Sequence, residues 1–162
     1  MLRLATTILV MVLSSVLARA EEESTWDAYV PGSMNAVISQ HEADASRTDH
    51  YFTSDNFPSR VKVTFLGKKR SLPKERALFL DKYFKTTGQP EFRKLFKSEV
   101  LVKEGAREHW LPIQTDILPS FVEEVRPQTE VEVFVTWFGA TRVAGKLEWV
   151  FSINEFQAIE VK

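Results

Sequence analysis

Cysteine is absent from the 162-residue chain, which excludes disulfides, a lipoprotein attachment site and thiolate catalysis together. Glycine occurs only six times. No Gly-x-Gly-x-x-Gly or Gly-x-x-x-x-Gly-Lys loop can be assembled to cradle a phosphate, and the common nucleotide-binding enzymes fall away. Serines are present, but none sits in a Gly-x-Ser-x-Gly elbow and no Ser-x-x-Lys stands with its partner motifs, so the usual serine nucleophiles are missing. The one long apolar run, Leu4 to Leu17, is shorter than the ~20 residues that cross a bilayer as a helix. Internal repeats and low-complexity tracts are absent too.

That run follows Arg3 and precedes Ala18-Arg19-Ala20, the charged start, apolar centre and small-x-small ending of a secretory signal peptide, with cleavage expected between Ala20 and Glu21. A cysteine-free exported chain points first to the bacterial periplasm and otherwise to the cell exterior, because small secreted animal domains are usually disulfide-dense. Residues 1–20 are therefore expected to be a leader, 21–59 an acidic, partly helical N-terminal extension, and 60–162 a single α+β domain. At 44% hydrophobic and 27% charged residues the composition is that of a globular protein that can form its own core.

Charge is unevenly spread. Residues 60 to 97 hold twelve Lys and Arg against three Asp and Glu, whereas the rest of the chain beyond the leader is strongly acidic. Such a separation either draws an anionic partner to one face or is neutralised when the acidic flanks fold back.

Periodicity sets the elements. Ser33 can cap a helix that places Met34, Val37, Ile38 and His41 on one face, and the polar stretch from Glu42 to Asp55 reads as loop. Val61, Val63 and Phe65 alternate with Arg60, Lys62 and Thr64 in a strand ended by Gly67. Ser71 and Pro73 open a helix to about Lys85 whose inward stripe is Leu72, Arg76, Phe79, Leu80, Tyr83 and Phe84, with Gly88 as its stop. A further turn starts at Pro90. Glu99 to Val102 and His109 to Ile113 are short strands around a turn at Glu104-Gly105. Thr115 or Asp116 caps a helix through Phe121 and Val125 that Pro127 ends. Thr129 to Phe138 and Lys146 to Ile153 are the strongest strands, and Gly139 to Gly145 is expected to connect them as a hairpin. This order predicts an α+β fold: a mainly antiparallel five-stranded sheet or a small OB-like barrel, with two to three packed helices.

Metal-ligating residues are few: His41, Asp44, Asp49, His50 and His109 match no ligand signature and read as solvated or helix-edge side chains. Glu130 with Glu132, and Glu123 with Glu124, are acids of the kind that usually face water, although a glycosidase pair would use such groups across a cleft. Trp110, Trp137, Trp149, Phe134, Phe138 and Phe151 could form a stacking platform but read mainly as core, with Phe134 and Phe138 exposed if no helix covers their side. The basic segment carries the functional expectation. Lys68, Lys69, Arg70 and Lys74 are the candidate residues for an anionic partner, an envelope component such as phospholipid or lipopolysaccharide headgroups or an acidic protein, with nucleic acid less natural for an exported chain. The expected function is thus a non-enzymatic exported binding or accessory domain that calls for no cofactor; the alternative is a hydrolase without a linear motif, using Asp, Glu or His in a cleft.

Overall fold

Val61, Val63 and Phe65 bury one face of a strand that is longer than its hydrophobic alternation. In the computed structural model, which describes residues 28–159 and so leaves the expected leader outside the described residues, β3 runs Ser59–Ser71. It passes straight through Gly67, where a β-bulge between Phe65 and Lys68 bends it. Gly67 has φ +74°, and a Cβ there would lie 2.8 Å from Pro127, so the bend needs a residue without a side chain.

The bend lets one strand serve two partners. Ser59 to Thr64 pair with β6 (Glu130–Val143), and Thr64 to Ser71 pair with β4 (Phe96–Glu104). β4 continues antiparallel to β5 (Arg107–Gln114), β5 meets β7 (Lys146–Ala158) in parallel at Ile113 and Ile153, and β7 returns antiparallel to β6. The circuit β3–β4–β5–β7–β6–β3 is closed. Two short strands lie outside it: β1 (Val30–Pro31) is parallel to β3 and β2 (His50–Phe52) is antiparallel to β6. The α+β class holds, but the sheet is mixed and has seven strands rather than five antiparallel ones.

Alternation supplies the interior. Val61, Val63 and Phe65 meet Val100, Val102, Leu111, Ile113, Val131, Val133, Val135, Trp137, Trp149, Phe151 and Ile153 in one buried cluster. α1 (Met34–Ala45), capped by Ser33 through the Ala36 amide as expected, adds Met34, Ile38 and Ala45, and α3 (Leu118–Glu124) adds Phe121. Residues on both sides of the expected boundary at 59/60 thus share one core. On the outside of the circuit, α2 (Lys74–Thr86) lays Phe79, Leu80, Tyr83 and Phe84 against Phe96, Phe138 and Val150. This helix covers Phe138, which is buried.

Several boundaries moved for identifiable reasons. The expected loop from Glu42 to Asp55 contains the end of α1 and all of β2, because Ala45 is buried and His50 to Phe52 pair with Thr141 to Gly139. Ser71 closes β3 instead of capping α2, whose N-cap is Pro73 with no side-chain bond. Likewise α3 is preceded by Ile117 rather than capped by Thr115 or Asp116, although the Asp116 carboxylate accepts from the Ile117 amide. The expected hairpin from Gly139 to Gly145 shrinks to a turn at Ala144 and Gly145, since β6 and β7 stay paired as far as Val143 and Lys146. Among the described residues no helix is long and apolar enough to cross a membrane.

Candidate functional site

The four basic residues singled out from the sequence fall into two strand faces and a helix start. Lys68 pairs with Leu101, Lys69 with Val100 and Arg70 with Glu99, so Lys68 and Arg70 share the outer face while Lys69 points the opposite way. All three are exposed, as is Lys74, the first residue of α2. Register brings Lys68 and Arg70 beside Lys103 of β4 and Trp110 of β5, because Leu101 pairs with Trp110 and Lys103 with Glu108. Trp110 is half-buried, and the Arg70 guanidinium lies over its ring at 4.0 Å from the centroid, a cation–π contact.

Arg70 is also committed underneath. Its Nε donates to Glu99 Oε1 at 2.5 Å, and the same carboxylate accepts from Arg76 Nη1 at 2.5 Å. Arg76 Nη1 further donates to the Trp110 carbonyl and Arg76 Nη2 to Glu148. Arg76 is 1% exposed and Glu99 0%, so two guanidiniums and two carboxylates neutralise one another beneath α2. Burial pushes the Glu99 carboxyl up and the Arg76 guanidinium down, and their mutual attraction opposes both shifts. The array clamps α2 onto β4, β5 and β7. Removing either buried member, Arg76 or Glu99, costs about 3–5 kcal/mol because the charges around it are left uncompensated.

Next to the clamp, β5 and β7 diverge from their single pairing point and leave a cleft of about 240 Å³, bordered by Glu42, Arg107, Glu108, His109, Glu148 and Trp149 together with Arg76. His109 occupies a buried position of β5, and its Nε2 has no hydrogen-bond partner among the described residues; neither has Arg76 Nε. Burial, helped by the Arg107 charge, lowers the His109 pKa to about 4, so the imidazole is neutral at pH 7 and supplies no positive charge to a ligand.

The other candidates are dispersed. His41 Nδ1 is 3.0 Å from the Tyr51 hydroxyl with its ring against Trp137, and His50 Nδ1 is 2.9 Å from Thr141 Oγ1. Asp44 faces Arg47 and Asp49 faces Arg142. Among the described residues no group of three or more His, Asp or Glu could hold a metal ion. Glu132 lies opposite Lys62, and Glu123 and Glu124 are exposed on α3. Trp137, Trp149 and Phe151 are buried in the core, Phe134 packs edge-on against Tyr29, and Phe138 lies beneath α2. Sequence reasoning passed over Glu99, Lys103 and Glu148. A charged residue in an otherwise apolar stripe, as Arg76 is in α2 and Glu99 beside Val100, is the sequence signal by which such a buried pair can be found. No protein-family model, no curated protein and no solved structure matches the chain.

Proposed function

We propose that the chain is an exported, non-enzymatic binding domain on an OB-like barrel, and that it takes anionic envelope headgroups on the outer face of β3, β4 and β5. The barrel reading is supported by the closed five-strand circuit with α3 inserted before its fourth strand, the element order of OB folds, in which the second and third strands present the ligand face. The observation that carries the function is the set of Lys68 and Lys103 on the same face as the Arg70-capped Trp110. Two exposed ammonium groups can contact phosphate while the stacked pair offers an amphipathic surface, and each lysine near an anionic surface contributes about 1 kcal/mol. Export rests on the leader expected over residues 1–20.

Co-sedimentation with phosphatidylglycerol vesicles at low and high salt tests the reading. Wild type should bind at low salt and release as salt rises. Lys68→Glu with Lys103→Glu should weaken binding by roughly tenfold or more, whereas Lys69→Glu, on the opposite face, should change it much less. Thermal transitions should stay within about 0.5 kcal/mol of wild type. Equal sedimentation of wild type and the double variant would leave these lysines as solvated surface, and binding only to an acidic protein would reassign the partner. A second reading, a hydrolase, is favoured by the meeting of Glu42, Glu108 and Glu148 with His109 in one cleft. Against it stands the pairing of Glu148 with Arg76, which engages that carboxylate in the clamp of α2 instead of leaving it for a substrate.

A further inference from the structure

A second cleft, of about 290 Å³, opens between α2, the 3-10 helix Pro90–Leu95 and the outer surface of the barrel strands. Its walls include the rings of Tyr29, Tyr83, Phe84, Phe92 and Phe138, and its polar groups come from Asn56, Gln89, Gln114, Thr136 and Asn154. In a chain with 27% charged residues, no charged side chain among the described residues lines this cleft. Its volume is close to the lower bound for small-ligand sites.

The polar groups are held in a fixed arrangement. Asn154 Nδ2 donates to Thr136 Oγ1 at 2.7 Å and to the Tyr29 hydroxyl at 3.1 Å, while its Oδ1 accepts from Ser152 Oγ at 2.9 Å and Gln114 Nε2 at 3.2 Å. The amide is saturated and anchors its neighbours. Tyr83 donates to Asn56 Oδ1 at 2.7 Å. What this leaves without a protein partner among the described residues is Gln114 Oε1 as an acceptor, Asn56 Nδ2 as a donor and the whole Gln89 side-chain amide as both. Phe92 is 40% exposed, so one aromatic ring of the wall is open to a ligand.

We infer that this cleft is a binding site for a neutral saccharide unit. A charged ligand would lose water there without gaining a counter-charge. A hydrocarbon chain would strand the amides of Gln89, Gln114 and Asn56 without partners. The ligand must therefore combine an apolar face with an uncharged edge of mixed donors and acceptors. A pyranose ring has both: its C–H face stacks on an aromatic ring, and each hydroxyl can donate to Gln114 Oε1 or accept from Asn56 Nδ2. A nucleobase shares the flat face, but a nucleic acid brings a phosphate with every unit and no cation lines the cleft to receive it. The site is separate from the lysine-bearing face, and the inference does not rest on the anionic partner proposed above.

Side-chain amide resonances of the ¹⁵N-labelled protein test it. The probes are cello-, malto- and N-acetylglucosamine oligosaccharides, with adenosine and uridine as separate arms. A saturable shift of the Gln89, Gln114 and Asn56 amides with at least one oligosaccharide is expected. Phe92→Ala should weaken that binding by about tenfold or more, the worth of one aromatic stacking contact, and Gln89→Ala should weaken it as well. Both sites are exposed, so their thermal transitions should match wild type. Lys68→Glu with Lys103→Glu should bind the sugar normally, which separates failure of this site from failure of the anionic face. The inference is overturned if no oligosaccharide gives a saturable shift, if only the nucleosides do, or if Phe92→Ala and Gln89→Ala leave the affinity unchanged.

Discussion

His109 is 7% exposed and its Nε2 finds no partner among the described residues, so protonating it in place puts an unpaired charge into the barrel wall. The unfolded imidazole takes its proton near 6.5, the folded one only near about 4, and desolvation is the larger cause. Between those values the unfolded state binds more protons. Stability is therefore complete above about pH 6.5 and is lost as pH falls toward about 4, where the loss levels off. The whole effect is on the order of 3 kcal/mol. Urea unfolding across this window, wild type against His109→Gln, should show the wild type losing more stability than the variant. Identical slopes would mean that the imidazole is solvated. The sequence offered His109 only as one of five possible ligands, because whether a histidine in a short strand points inward depends on a register that its neighbours do not specify.

Element by element, the largest departure from the sequence pattern is in β6. By sequence Gly139 opens a turn, yet the strand continues to Val143, with the Trp137 indole N–H donating to the Gly139 carbonyl at 2.9 Å. Gly139 has φ +135°, and a Cβ there would lie 1.8 Å from the Tyr51 carbonyl oxygen of β2. The glycine lets another backbone approach rather than letting the chain reverse. Gly139→Ala should consequently cost more than about 2 kcal/mol by expelling β2 or straining β6. Gly145, at φ +79° with nothing within 4 Å of a built Cβ, is the internal control. Gly145→Ala should cost only the ~1–2 kcal/mol of a left-handed alanine. Chemical denaturation of the two variants decides between contact and conformation, and equal losses would remove the close-approach argument.

For the whole molecule, the decisive fact is that residues 30–59 belong to the same packing unit as the barrel strands. Met34, Ile38 and Ala45 are buried in the main cluster and two short strands extend the sheet. Burying a side chain such as Met or Ile contributes about 1.5–3 kcal/mol, a large share of the roughly 5–15 kcal/mol that keeps a domain folded. A fragment beginning at Arg60 should accordingly lack a cooperative thermal transition, whereas the chain beginning at Glu21 should show one. Calorimetry of both checks this. A fragment that melts cooperatively near the temperature of the longer chain would make residues 21–59 a dispensable extension.

Where apolar side chains repeat is written in the chain itself. That was enough for the inward faces of β3, β6 and β7, for the stripe of α2 and for the α+β class, because burial periodicity is a local property. It also excluded cysteine chemistry and phosphate-cradling glycine loops, which are matters of composition and spacing. That β3 serves two partners, that Ile113 meets Ile153 in parallel and that five strands close a circuit emerges only on folding, since backbone hydrogen-bonding groups are the same for every residue type but proline and carry no mark of their partner in the sequence. The tertiary structure likewise split the basic run. A period of two sends Lys69 away from Lys68 and Arg70, and a carboxylate 29 positions along the chain, Glu99, captures Arg70. Charge adjacency in sequence becomes a charged surface only where the strand's alternation and its ion pairs leave it one.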